Sequence, residues 1–207
     1  MAYSEFTLKS ACRTFGLALD ESIDLHRDAA EVAPSALLRT ILEENVPLGT
    51  LMNTEKARSE LIVSPVLVEV RRLARPQVSL FSGIDFEVDR ARGLVGVCDF
   101  LLARSPHQAF LVAPAVTIVE AKKDDIQAGL GQCASEMVAA QLFNEREGVG
   151  PSVIHGVVTT GSLWKFMRLE EQVLYLDKSG YAIAMIGKIL GMLLRCVEEA
   201  EPAVVPG

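Results

Sequence analysis

The sequence predicts an α/β fold of the α+β kind, with a mixed central sheet flanked by helices and a small N-terminal appendage. Three observations carry that prediction. Residues 94–102 and 115–119 are apolar on both faces, the texture of strands covered on both sides. Residues 126–146 place Ile126, Leu130, Ala134, Met137 and Leu142 on one helical stripe and Gln132, Ser135 and Glu136 on another. Finally, the order is helix, three strands, helix and further strands, which layers helices against a sheet.

Residues 1–52 read as an appended unit. An acidic stretch over 20–31 precedes Pro34-Ser35, which opens a helix through Leu37, Leu38, Ile41 and Leu42, and Pro47-Leu48-Gly49 breaks it. The main domain spans 53–200. Asn53 or Thr54 caps a helix through Glu55, Ala57, Leu61 and Ile62, and Ser64-Pro65 restarts or kinks it because proline brings no amide donor. Strands follow at 80–88, 94–102 and 115–119. After the long helix, 152–159 and 163–169 form a hairpin about Thr160-Gly161-Ser162, then come 172–176 and a last amphipathic helix over 184–199. Residues 201–207 are a tail.

Composition removes several classes. The chain is 50% apolar and 23% charged, and its 15 glycines and 9 prolines have no period, so collagen-like and disordered readings fail. Pro114, Lys188 and Arg195 interrupt the apolar stretches, and Glu5 and Lys9 sit where a signal peptide needs an apolar run. The expectation is a cytoplasmic protein that spans no membrane. Cys12, Cys98, Cys133 and Cys196 form no CxxC pair, and His26, His107 and His155 show no metal-binding spacing. Reduced, buried cysteines are expected, without a zinc cluster, and a hydrolase built on a nucleophilic cysteine finds no histidine partner near Cys98 or Cys133. Gly129-Leu130-Gly131 lacks the lysine and hydroxyl residue of a phosphate loop.

The net charge of −7 disfavours a polyanion partner, yet residues 55–123 hold 10 basic against 8 acidic side chains, the only net-positive third. Either this is a solvated face or it is a phosphate-facing one. Asp99 stands within the second apolar strand, and Glu120 and Lys122 close the third. Burying unpaired charge costs several kcal/mol or more, on the order of the desolvation penalty, so these groups are paired, protonated, exposed at a strand end or bound to a cation. Alternation puts Glu120 and Lys122 on one side, and neighbouring strands bring Asp99 beside Glu120. A hard divalent cation relieves the repulsion of two carboxylates and keeps positions open for water and a phosphate oxygen, which points to phosphodiester hydrolysis. The bland readings are a Glu120–Lys122 salt bridge closing a strand, a Lys56–Glu60 pair on one helix, and Gln132 as an ordinary helix residue. Lys123, Asp124 and Asp125 read as a turn with Asp125 as a cap. Trp164 beside Lys165 either packs or stacks on a base, packing being the simpler reading.

Asp99, a gap of 20 residues and then Glu120-Ala121-Lys122 resemble the D…(D/E)xK signature of the PD-(D/E)xK nuclease superfamily, with its restriction-endonuclease-like fold. The resemblance covers roughly residues 54–170. It looks closest to a little-characterised bacterial branch, with some likeness to the nuclease domain of type I restriction subunits. It implies Mg2+, replaceable by Mn2+, held by Asp99 and Glu120 with the Ala121 carbonyl. It further implies Glu60 on a metal water or second ion, Lys122 on the attacking water, and Gln132 supporting the site. Two departures stand out: Cys98 occupies the position of the motif's proline, and Glu136 the position where some branches carry a tyrosine. The implied function is a metal-dependent nuclease acting on DNA in restriction, repair or mobile-element defence. The alternative is a noncatalytic binding or assembly module, in which the acidic N-terminal unit and the apolar last helix serve a homodimer or a protein partner.

Overall fold

The computed structural model describes residues 2–74, 76–149 and 153–198. The expected tail, 201–207, lies outside them. Among the described residues eight strands build one mixed sheet: β1 (Ala18–Asp20), β2 (Ser79–Asp85), β3 (Val97–Ala103), β4 (Ala115–Ala121), β5 (Ile154–Thr159), β6 (Leu163–Glu170), β7 (Val173–Leu176) and β8 (Tyr181–Ala182). They lie in the order β1-β7-β6-β5-β4-β3-β2, with β8 against the start of β6. The β2–β3–β4 meander is antiparallel, whereas β4 and β5 run parallel, as their helical crossover requires. Every residue of β4 is buried, which explains a strand that reads as a continuous apolar run.

The helices are α1 (Leu8–Phe15), α2 (Ala36–Met52), α3 (Glu55–Arg58), α4 (Ser64–Leu73), α5 (Ile126–Arg146) and α6 (Ile186–Glu198). One face of the sheet packs under α1 and α5 through Leu130, Cys133 and Met137 against Ile118, Val158 and Met167. Its other face packs under α4 and α6 through Leu67, Val70, Ile189 and Leu193 against Val119, Val157 and Phe166. Trp164 is fully buried in that second layer and donates its indole N–H to the Gly161 carbonyl at 3.1 Å, so it packs. Burying such a side chain contributes about 2–3 kcal/mol. Among the described residues no helix is long and apolar enough to cross a membrane.

Two proline positions show how local rules are met or bypassed. The Ser35 hydroxyl caps α2 by accepting from the Leu38 amide, as Pro34-Ser35 suggests, but the helix continues through Pro47 to Met52 instead of breaking. Pro47 and the preceding turn at Glu43 and Glu44 are exposed, so water can satisfy the carbonyl that lacks an amide. Thr54 caps α3 by accepting from the Ala57 amide. Between α3 and α4 the helix widens into a π-turn over Ser59–Val63, after which Pro65 lies in the first turn of α4. Pro65 cannot donate to the Leu61 carbonyl one turn back, and the Asn45 side-chain amide from α2 does so at 3.0 Å. The helix thus passes Ser64-Pro65 without a chain break.

The first 52 residues, expected as an appendage, are woven into both layers. β1 adds a parallel edge strand to β7, and Tyr3, Phe6 and Phe15 lie in the core beneath α5. The Tyr3 hydroxyl donates to the Phe86 carbonyl at 2.8 Å. On the other face, Lys188 of α6 donates to the Arg27 and Ala29 carbonyls at 2.9 and 2.7 Å. Each large helix meets this N-terminal chain at a glycine. A Cβ on Gly131 of α5 would lie 2.3 Å from the Phe6 carbonyl oxygen, and one on Gly191 of α6 would lie 1.7 Å from that of Ala30. Backbone-to-backbone approach at both points leaves no room for any side chain.

Candidate active site

The β3–β4 ladder ends at Phe100 paired with Val119. One step further along, the Asp99 carboxylate accepts a hydrogen bond from the Ala121 amide at 2.8 Å, replacing the backbone pairing that the diverging strands abandon. The next amide, Lys122, donates the other way to the Thr159 carbonyl of β5 at 2.7 Å. In an extended strand the amide and carbonyl of one residue point to the same edge, so the Ala121 carbonyl shares the Asp99 side. The motif's three residues therefore flank a point where the sheet opens.

Glu120 projects toward α5. Its Oε1 accepts from the Lys122 ammonium at 2.5 Å, which also donates to the Gln132 Oε1 at 3.2 Å. Gln132 in turn donates to the Glu136 Oε1 at 3.1 Å. Gly129 makes room for this chain, since a Cβ there would sit 2.6 Å from Val158 and 3.0 Å from the Lys122 stem. Two oxygens are left over: Glu120 Oε2 and Glu136 Oε2 are buried without a hydrogen-bond partner. Such orphaned carboxylate oxygens demand a proton or a cation.

The electrostatics say the same. Burial and then the Asp99 charge push the Glu120 carboxyl up to about 8, against the opposing pull of Lys122. Burial and then the Glu120 charge push Glu136 well above the ordinary carboxylate range. Burial pulls the Lys122 ammonium down, but Glu120 outweighs it and the net shift is upward. All three groups hold protons more tightly than usual, the two carboxyls chiefly because they are buried and the ammonium because of the acids beside it. Lys122 is thus a standing cation and hydrogen-bond donor.

In front of Asp99 opens a cleft of about 350 Å³ lined by Glu55, Lys56, Ser59, Glu60, Ser64 and Ser82. Glu60 lines it as a neighbour of Asp99, yet its side chain is 62% exposed and pairs with Lys56 at 3.5 Å, as the bland reading had it. Glu55, which sequence reasoning passed over, has a charge that reaches both Glu120 and Lys122. It sits in the first turn of α3, immediately after the Thr54 cap, and that position was the one signal available. Asp99, Glu120, Lys122 and Gln132 form one connected cluster, with Glu136 completing it and Glu60 at its rim. Asp125 caps α5 by accepting from the Gln127 amide at 2.8 Å, the structural role assigned to it.

No protein-family model and no curated protein matches this chain.

Proposed function

We propose that this protein is a divalent-cation-dependent nuclease that hydrolyses phosphodiester bonds of DNA, built on a restriction-endonuclease-like core of the PD-(D/E)xK type. The order α4, antiparallel β2–β3–β4, α5 and a parallel β5 supports the fold reading. The observation that carries the functional reading is the buried, partnerless Glu120 Oε2 next to Asp99, with Lys122 as the cluster's cation. The donors are all oxygens and mostly anionic, which suits Mg2+ or Mn2+ and not a soft metal. Asp99, Glu120 and the Ala121 carbonyl would hold the ion, with Glu55 and Glu60 on the cleft side. When bound, the cation stabilises charge building on phosphorus and lowers the pKa of a coordinated water.

The remaining roles belong to the chain itself. Glu55, Glu60 and Asp99 make the cleft electronegative, so a phosphate is repelled until cations neutralise them, which makes the activity strictly cation-dependent. Lys122 keeps its proton and presents an N–H donor to a phosphate oxygen or to the attacking water. Gln132 gives the Lys122 ammonium a second acceptor, and Glu136 orients Gln132.

The test is cleavage of plasmid and single-stranded DNA by the full chain in Mg2+ or Mn2+, with and without chelator. Asp99→Ala and Lys122→Ala are expected to lower the rate roughly a thousandfold, the order of a lost electrostatic contact, while circular dichroism stays unchanged. Absence of Mg2+ or Mn2+ binding by calorimetry, or equal rates in the variants, refutes the nuclease reading in favour of a noncatalytic module.

A further inference from the structure

Sequence spacing offers no metal site among the histidines and cysteines, but the fold brings three of them together. His26 lies in the segment between β1 and α2, His155 in the middle of β5 and Cys196 on α6. All three are buried, and one ligand atom from each lies within 4.8 Å of the others. Cys196 Sγ is 3.8 Å from His26 Nε2. Around a tetrahedral Zn2+ with ordinary bond lengths, the corresponding edges are about 3.3–3.6 Å, so closing the set takes movements on the order of 1 Å.

We propose that His26, His155 and Cys196 bind a single Zn2+ ion that cross-links the 21–35 segment, β5 and α6 on the face of the sheet away from α5. The proposal is independent of the nuclease reading. Two imidazoles and a thiolate are the donors of a borderline metal, unlike the all-oxygen set at Asp99 and Glu120. The Cys196 thiol releases its proton to solvent as the sulfur binds, and the two imidazoles bind as neutral ligands.

The surroundings are prepared for that role. The His26 ring stands edge-on to Phe166, with centroids 5.1 Å apart, and its segment is anchored by the Lys188 bonds to Arg27 and Ala29. Tyr181 donates to Asp24 at 3.3 Å just before it. His155 lies within reach of the charges of Arg168 and Arg195. Those guanidiniums oppose a bare divalent ion, and the thiolate supplies compensating negative charge. Arg168 is itself partly neutralised by Glu170 at 2.7 Å and lies over the Tyr175 ring. Three protein donors leave one tetrahedral position for a further ligand.

The experiment loads the metal-stripped full chain with Zn2+, read by competition with a chromophoric chelator, and with Co2+, read by sulfur-to-cobalt charge-transfer absorption. One Zn2+ per chain and a thiolate band are expected. Cys196→Ser should abolish the band, and both it and His155→Gln should weaken Zn2+ binding roughly a hundredfold. Cys12→Ser and Asp99→Ala should keep the band, which separates this site from the acidic one. Lack of stoichiometric Zn2+ binding, or a band that survives in Cys196→Ser, overturns the proposal. If Cys196→Ser does not fold, the wild-type melting temperature decides: it should rise with Zn2+ and not with Mg2+, and no such rise overturns the proposal.

Discussion

The two faces of the sheet carry opposite kinds of buried polar chemistry around the same pair of strands. On the α5 face, Glu120, Lys122, Gln132 and Glu136 form a chain of hard oxygen and ammonium groups. On the α6 face, three residues further along the β4–β5 pairing, His155 meets His26 and Cys196. The difference lies in how each is assembled. The acidic chain comes from adjoining elements and crowds carboxyls whose proton affinity is raised, so a cation entering there would displace protons. The imidazole–thiol cluster joins groups up to 170 positions apart and closes only when the whole layer is in place.

Four substitutions break or sharpen this contrast. The largest effect is expected from Gly191→Ala, which drives a methyl group into the Ala30 carbonyl and lifts the 21–35 segment off α6. It should cost about 2–3 kcal/mol in urea unfolding and disturb the His26 side while leaving the acidic face intact.

On the other face, Glu136→Gln removes a carboxyl whose folded affinity for a proton is raised. Wild-type stability from this group is complete below its unfolded pKa and is lost as pH rises through the raised folded value, since unfolding then releases the carboxyl to ionise. The variant should therefore be less sensitive to rising pH above about 4.5, the unfolded value, and more stable than wild type by about 1 kcal/mol in mildly alkaline buffer, seen in melts across pH.

The smallest effect separates the two cleft glutamates. Glu60→Ala loses only an exposed pair with Lys56 and should change stability by less than about 0.5 kcal/mol and cleavage little. Glu55→Ala should slow cleavage more than Glu60→Ala does. The reverse order would return Glu60 to the role that the family resemblance implies for it.

How much was legible in the sequence follows from range. The mixed sheet with flanking helices was readable because β4 is buried along its whole length and α5 has a long apolar face, both local patterns. Asp99, Glu120 and Lys122 stood out because charges are rare inside such strands. Glu55 did not, since an acid after a helix cap looks like ordinary dipole compensation. The persistence of α2 through Pro47 was hidden because solvent exposure, not sequence, decides whether the orphaned carbonyl is tolerated. Neither the His26, His155 and Cys196 cluster nor the embedding of residues 1–52 leaves any short-range mark.

The seating of residues 21–35 on α6 also sets an order of events during synthesis. Arg27 and Lys188, whose backbone and ammonium meet in the finished protein, emerge 161 residues apart. At about 5–20 residues per second, the early segment waits on the order of ten to thirty seconds for its partner helix. Until then β5 and β6 lack the α6 half of their cover, and that apolar layer closes only when the last helix arrives.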